Sequence, residues 1–365
     1  MIYLDHGATS YPKPQGVRRA MLRALEDCAN PGRGGYPAAM AAAEQVYRCR
    51  ETAGELFGCR PEQVVFTGNC THGLNIAIRT LVRPGDRVAV SGFEHNAVMR
   101  PLYALGAKIQ VAGRELFHWD EMLTQWEKVL KSGVKAGIFT HISNVFGYIL
   151  PVEEMSEMCR SYGVPFVVDA AQSAGILPVS LGRWGADFIA MPGHKGLLGP
   201  QGTGLLLCGR TPEPLLFGGT GSSSMEHGMP QDVPERAEAG TANVPGIAGL
   251  DAGMQLILQE GTEAIFARER ALTEACIRVL QQRGWRVFAG AHQASTVSFL
   301  PPGDCQEFAQ ALAREGVAVR AGLHCAPLAH ESAGTLDTGT VRIAVGYQTS
   351  VHKIRTFAQR ILRMS

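Results

Sequence analysis

Through the first two-thirds of the chain, short runs of apolar and β-branched residues alternate with stretches in which apolar positions recur every three or four residues. The short runs are predicted strands: Val64 to Thr67, Arg87 to Val90, Lys108 to Val111, Gly137 to His141, Pro165 to Val168, Asp187 to Ala190 and Gly204 to Cys208. Such alternation predicts an α/β fold with a mostly parallel sheet covered on both faces. In such sheets ligands gather beyond the carboxyl ends of the strands, so chemistry is expected just after each run. The helix from His72 onward places Leu74, Ala77, Ile78 and Leu81 on one face. The Thr67-Gly68-Asn69-Cys70-Thr71 stretch before it offers backbone N–H groups to a phosphate.

After about Gly246 the pattern changes. Helices are predicted over Gly249 to Glu260 and Ala264 to Arg283, then a strand over Thr296 to Leu300 and a helix over Gln306 to Glu315. Strands over Val317 to Arg320 and Val341 to Val345 and a closing helix from His352 to Met364 complete a second, α+β domain. Gly218 to Ser224, rich in glycine and serine, reads as a flexible loop or linker.

At 365 residues the chain exceeds one ordinary domain, which suits a large α/β unit with a smaller companion. The formal charge of +1 argues for neither nucleic acid nor a membrane surface as partner, leaving small-molecule chemistry. The N-terminus lacks a basic stretch followed by an apolar run, and no later segment approaches the ~18 unbroken apolar residues of a spanning helix. A soluble, cytoplasmic protein is the expectation. Nine cysteines scattered without a CxxC pair fit a reducing compartment, with no metal site expected.

One of those cysteines stands apart. Cys325 lies in Arg320-Ala321-Gly322-Leu323-His324-Cys325-Ala326, a segment of small residues that sets a thiol beside a histidine and suggests a nucleophile. Upstream lies a set suited to an aldehyde cofactor. Pyridoxal 5'-phosphate needs a lysine for its Schiff base, a carboxylate for its ring nitrogen, a flat group on the ring and a phosphate cradle. Lys195, flanked by Gly193-His194 and Gly196, follows a strand and would deliver its amine into the crevice. Asp169 ends an apolar strand, where a buried carboxylate needs a cationic or hydrogen-bonding partner; a cap of the following turn is the lesser alternative reading. Gln172, three residues on, could reach the cofactor's phenolic oxygen. His95, at another strand exit, is suited to stacking and proton transfer, and Asn144 reads either as a polar contact or as a turn asparagine.

Taken in order, Thr71-His72-Gly73-Leu74-Asn75, Glu94-His95-Asn96, Asp169-Ala170-Ala171-Gln172, Gly193-His194-Lys195, Ala239-Gly240-Thr241-Ala242-Asn243 and the Cys325 segment resemble class V aminotransferases. More narrowly they resemble the group II cysteine desulfurases and selenocysteine lyases, from Tyr3-Leu4-Asp5 to the final helix. The resemblance implies fold type I, aspartate aminotransferase-like, with a seven-stranded sheet in a large cofactor domain (13–248) and a small domain (1–12 and 249–365) carrying the cysteine. It implies that Lys195 carries the cofactor, that Asp169 pairs with the ring nitrogen and that His95 stacks on the ring. Thr71, Cys70 and His194 match contacts to the cofactor, and Asn144 a contact to cofactor or substrate. Thr241 matches a threonine that reaches a neighbour's phosphate site, which implies a homodimer. Arg342 matches the arginine for the substrate carboxylate, assisted by Arg320.

The implied reaction removes sulfur from L-cysteine, or selenium from L-selenocysteine, leaving alanine and a persulfide on Cys325. His324 or Arg320 would favour the thiolate electrostatically. The short Pro327 to Thr340 segment implies that an acceptor protein or small thiol must remove the sulfur. Pro192, Gly35-Tyr36 and His72 depart from the family pattern and bear on substrate preference and on one phosphate hydrogen bond. Two other readings stay open at this level. One is a class V aminotransferase, epimerase or β-lyase in which Cys325 is incidental, and the other is a non-catalytic binding module.

Overall fold

The structure, a computed structural model, describes residues 1–32, 34–221 and 225–363. A short strand β1 (Ile2–Tyr3) leads to helices α1 (Gln15–Asp27) and α2 (Pro37–Phe57). The alternating region follows: β2 (Val64–Thr67), α3 (Cys70–Leu81), β3 (Arg87–Ser91), α4 (Asn96–Ala104), β4 (Lys108–Ala112), α5 (Trp119–Lys131) and β5 (Ala136–Thr140). It continues with α6 (Val152–Ser161), β6 (Phe166–Asp169), α7 (Leu181–Trp184), β7 (Phe188–Pro192) and β8 (Gly204–Cys208). The rest is α8 (Val244–Glu260), α9 (Thr262–Gln282), β9 (Arg286–Phe288), β10 (Thr296–Leu300), α10 (Cys305–Arg314), β11 (Val317–Ala318), β12 (Arg320–Gly322), α11 (Pro327–Ala333), β13 (Thr340–Ala344) and α12 (Val351–Arg363).

The seven strands expected from the apolar runs form one sheet in the order β2-β8-β7-β6-β5-β3-β4. The neighbours from β7 to β4 pair in parallel, and β8 runs antiparallel between β2 and β7. Alternate residues feed two cores, as the two-residue period of a strand requires. Ile138, Val167, Phe188 and Leu206 pack on the α3 side, whereas Phe139, Val168, Ile189 and Leu207 pack on the other. A second, antiparallel sheet has the order β12-β13-β10-β9, and β1 pairs in parallel with β11.

Several boundaries differ from the sequence pattern for identifiable reasons. The α3 helix starts at Cys70, two residues early, because Asn69 Oδ1 accepts the His72 N–H at 2.9 Å and caps it. The predicted strand Val317 to Arg320 divides, because Val317–Ala318 pairs with β1 and Arg320 pairs with β13. Residue 248, expected as a domain boundary, lies inside α8, which begins at Val244 behind an Asn243 cap. Met364 of the closing helix and Ser222 to Ser224 of the glycine-serine segment lie outside the described residues. Among the described residues no helix is long and apolar enough to cross a membrane.

Candidate active site

The carboxyl ends of β5, β6 and β7, the N-termini of α3 and α4, and the segment after β12 surround a cavity of about 350 Å³. That volume suits a small cofactor with a substrate. Eleven of the twelve expected residues line it: Cys70, Thr71 and His95; Asn144, Asp169 and Gln172; His194 and Lys195; Arg320, Cys325 and Arg342. Thr241 is the exception. It is exposed and lines a separate cleft of about 840 Å³ that also contains His72. Of the departures, Pro192 lines the first cavity, while Tyr36 is exposed at the start of α2.

Lys195 sits on a tight turn after β7 that only glycine permits. A Cβ on Gly193 would lie 2.1 Å from Thr203 Oγ1, and one on Gly196 would lie 2.3 Å from the Ala174 carbonyl oxygen. Burial holds the lysine's pKa below its usual value, with Asp169 opposing that shift and Arg342 adding to it. The amine therefore spends more time neutral than a surface lysine would. Asp169 is buried at the end of β6, and its Oδ1 accepts from Ala171 N–H at 2.9 Å and from the Cys70 thiol at 3.5 Å. Burial raises its pKa against those bonds and Lys195, and no described residue bonds Oδ2. A buried carboxyl in that state favours a cationic or hydrogen-bond-donating partner.

His95 caps α4, with Nδ1 accepting the Ala97 N–H at 3.0 Å. The proton is thereby assigned to Nε2. Burial, followed by the charges of Lys195, Arg342 and Arg100, lowers its pKa to about 4, so the ring is neutral near pH 7. His194 is likewise held at about 4, chiefly by burial, and its Nδ1 lies 3.1 Å from Thr9 Oγ1. The helix start at Cys70 and Thr71 adds N–H groups that no preceding turn can satisfy.

Cys325 is the one exposed cysteine of the nine; Cys28 and Cys59 are partly buried and the others buried. Both His324 (φ 49) and Cys325 (φ 57) adopt the left-handed region, which costs a non-glycine residue roughly 1–2 kcal/mol. Two long-range bonds hold this turn: Asn144 Nδ2 donates to the His324 carbonyl, and the Asn96 N–H donates to that of Cys325, each at 2.8 Å. The thiol-bearing segment is thus pinned by loops of the large sheet. The expectation that His324 supplies a positive charge to the thiol is corrected. It is buried, and burial followed by the charges of Arg342, His330 and Arg320 pushes its pKa to about 2, so it is neutral.

The N-terminal segment completes the site, and it was not anticipated. Asp5 bonds Arg342 at 2.7 Å and Arg320 at 3.1 Å, the Gly7 carbonyl accepts from Gln172 Nε2 at 3.1 Å, and the Asn144 carbonyl accepts from Arg342 Nη1 at 2.9 Å. The His194 carbonyl, one peptide before the lysine, faces Ser10 N–H at 3.0 Å, the Thr9 and Ser10 hydroxyls at 3.1 Å and Lys13 Nζ at 2.7 Å. These residues share no periodicity with their partners. Only the Tyr3-Leu4-Asp5 stretch carried a signal, and it pointed to kinship rather than to contact.

The fold agrees with the comparisons with known proteins. The aminotransferase class-V family profile matches residues 2–357, and the chain belongs to that family. It is 31% identical to a probable cysteine desulfurase from Methanothermobacter thermautotrophicus, over 99% of this chain and 94% of that relative. Among solved structures, an apo cysteine desulfurase from Thermococcus onnurineus superposes with a TM-score of 0.89 at 31% identity, covering 99% of this chain and 93% of that one. The cysteine desulfurase CsdA (S-sulfonic acid) from Escherichia coli superposes with a TM-score of 0.82 at 25% identity, over 99% and 94% of the two chains.

Proposed function

We propose that this chain is a pyridoxal-phosphate-dependent cysteine desulfurase. It takes the sulfur of L-cysteine, leaves L-alanine and holds the sulfur as a persulfide on Cys325, with L-selenocysteine as an alternative substrate. The observation that carries the proposal is one exposed thiol on the wall of a cavity that also presents Lys195, Asp169 and His95. Relatives of near-equal length that bear the desulfurase name support it.

The residues fit the cofactor. Asp169, buried with Oδ2 unengaged by any described residue, suits a protonated ring nitrogen, and the neutral His95 ring suits its face. The N–H groups at Cys70 and Thr71, with His194, suit its phosphate, and Gln172 and Asn144 border the rest. When bound, pyridoxal phosphate captures the substrate amine and withdraws electrons from its α-carbon.

The chain's own groups do the remainder. Arg342, with Arg320 beside it, faces the substrate carboxylate. Lys195, biased towards the neutral amine, takes the α-proton and keeps it inside the cavity. Cys325, as thiolate, attacks the substrate sulfur; a sulfur–sulfur bond forms, the carbon–sulfur bond breaks, and its electron pair stays on the substrate β-carbon. That carbon takes up a proton from solvent, Lys195 returns the α-proton to the α-carbon, and the substrate leaves as alanine.

The chain between Cys325 and Arg342 folds compactly, with Leu328, Ala329 and Ala333 of α11 buried, so the persulfide stays close to the cavity. Turnover then waits for an acceptor protein or small thiol. Thr241, outside its own chain's cavity, reaches the phosphate site of a second copy in a homodimer. The domain boundary in this reading falls at Gly261, where α8 ends.

The test is L-alanine release from L-cysteine by the holoenzyme and by Cys325→Ala. The variant keeps its cofactor absorbance and loses at least ~100-fold in rate. Alanine release at the parent rate would refute the proposal.

A further inference from the structure

Arg320 and Arg342 stand directly opposite one another on β12 and β13. Like charges in that register repel, and Arg342 is buried, where an unbalanced charge costs most. One carboxylate serves both. Asp5 Oδ1 accepts from Arg342 Nη2 at 2.7 Å, while Oδ2 accepts from Arg320 Nε at 3.1 Å and lies 3.0 Å from its Nη2. Arg342 Nη1 is engaged by the Asn144 carbonyl, and its Nε is buried without a partner among the described residues. The approach is close. A Cβ on Gly7 would lie 3.2 Å from Arg342 Cζ, so the N-terminal segment is laid against the guanidinium.

Asp5 does not line the cavity and has 8% of its surface exposed, so it acts through the two arginines. Their two positive charges and its one negative charge leave a single positive charge at this end of the site. The other ionisable lining residues, Lys195, Asp169 and Cys325 among them, are the same in parent and Asp5 variants and cancel from a comparison between them.

We propose that Asp5 sets the charge specificity of the substrate site: by cancelling one guanidinium charge it matches the pocket to an amino acid with one carboxylate and discriminates against a second anionic group. The inference rests on the amino-acid substrate proposed above and on no step of the sulfur chemistry. Asp5 is in this sense a positioning residue.

The test uses L-alanine and L-aspartate, which differ by one side-chain carboxylate. Their dissociation constants are read from the ligand-induced change in cofactor absorbance of the holoenzyme. Taking the ratio of the two constants within each protein cancels differences in active fraction. Asp5→Asn raises the alanine-to-aspartate ratio of dissociation constants by roughly tenfold, the scale expected for one uncancelled charge in a partly solvated pocket. Asp5→Asn combined with Arg320→Gln, which restores one net positive charge, returns the ratio to within about threefold of the parent. Arg320→Gln alone, at a half-exposed side chain, moves the ratio the opposite way and serves if Asp5→Asn does not fold. An unmoved ratio in Asp5→Asn, a ratio still raised in the double variant, or an unmoved or raised ratio in Arg320→Gln would each overturn the proposal. Failure to release alanine from L-cysteine would refute the desulfurase reading and leave this ratio intact.

Discussion

Glu94 precedes the candidate ring-stacking histidine and has no exposed surface. Its Oε1 accepts from Ser91 Oγ and from the Thr140 N–H, and Oε2 is buried without a partner among the described residues. Burial pushes its pKa up to about 8 against those bonds. The folded protein therefore holds a proton that the unfolded chain releases above about pH 4.5, and stability falls as pH rises from there to about 8. Glu94→Gln keeps the acceptor and removes the titration. Its stability relative to the parent should grow from pH 5 to pH 8 by roughly 1–3 kcal/mol, followed by denaturant unfolding across that range. Parallel pH curves for the two proteins would contradict the assignment. His6, His95 and His194, each held at about 4 chiefly by burial, act in the opposite sense: their contribution is complete above about pH 6.5 and is lost as pH falls towards 4. Lys195, Asp169 and Cys325 were legible because each has a local signature, a glycine-flanked lysine, an acid closing an apolar strand, a thiol among small residues. Asp5 was not legible, because its partners lie 315 and 337 residues away and only folding brings them together.

At the scale of elements, the strands of the large sheet were readable because β5 to β8 are buried on both faces and must be apolar throughout. Segments whose partners are distant were not. Val317 to Arg320 has one β-like pattern but divides between two sheets, and three-residue β9 carries too little pattern to stand out. In the proposed site the start of α3 bears on the cofactor, since Asn69 caps the helix whose first N–H groups border the cavity. Asn69→Ala should lower unfolding stability by about 1 kcal/mol, the usual worth of such a cap. It should also weaken pyridoxal phosphate binding several-fold, measured by equilibrium titration of the apo-protein. A stability loss with unchanged cofactor affinity would show that the helix start does not contribute to the phosphate site.

For the whole molecule, Leu22 and Leu25 on α1 and Met40 and Tyr47 on α2 are exposed apolar side chains close in sequence to the cleft that holds Thr241. Tyr47 lines that cleft, and the proposed homodimer would cover apolar side chains exposed on these two helices. Thr241→Ala should reduce cofactor affinity by about tenfold, the worth of a good hydrogen bond to a charged group, although the residue lies outside its own chain's cavity. Sedimentation should give about twice the chain mass, and a monomer with full cofactor affinity would contradict the shared site. The central claim, that Cys325 receives sulfur from a substrate held by the Lys195 cavity, is tested most directly by the intact mass of the protein after brief exposure to L-cysteine without any acceptor thiol. Holoenzyme should gain the mass of one sulfur atom, mapped to the peptide containing Cys325 and absent from Cys325→Ala; no gain, or an equal gain in the variant, would contradict it.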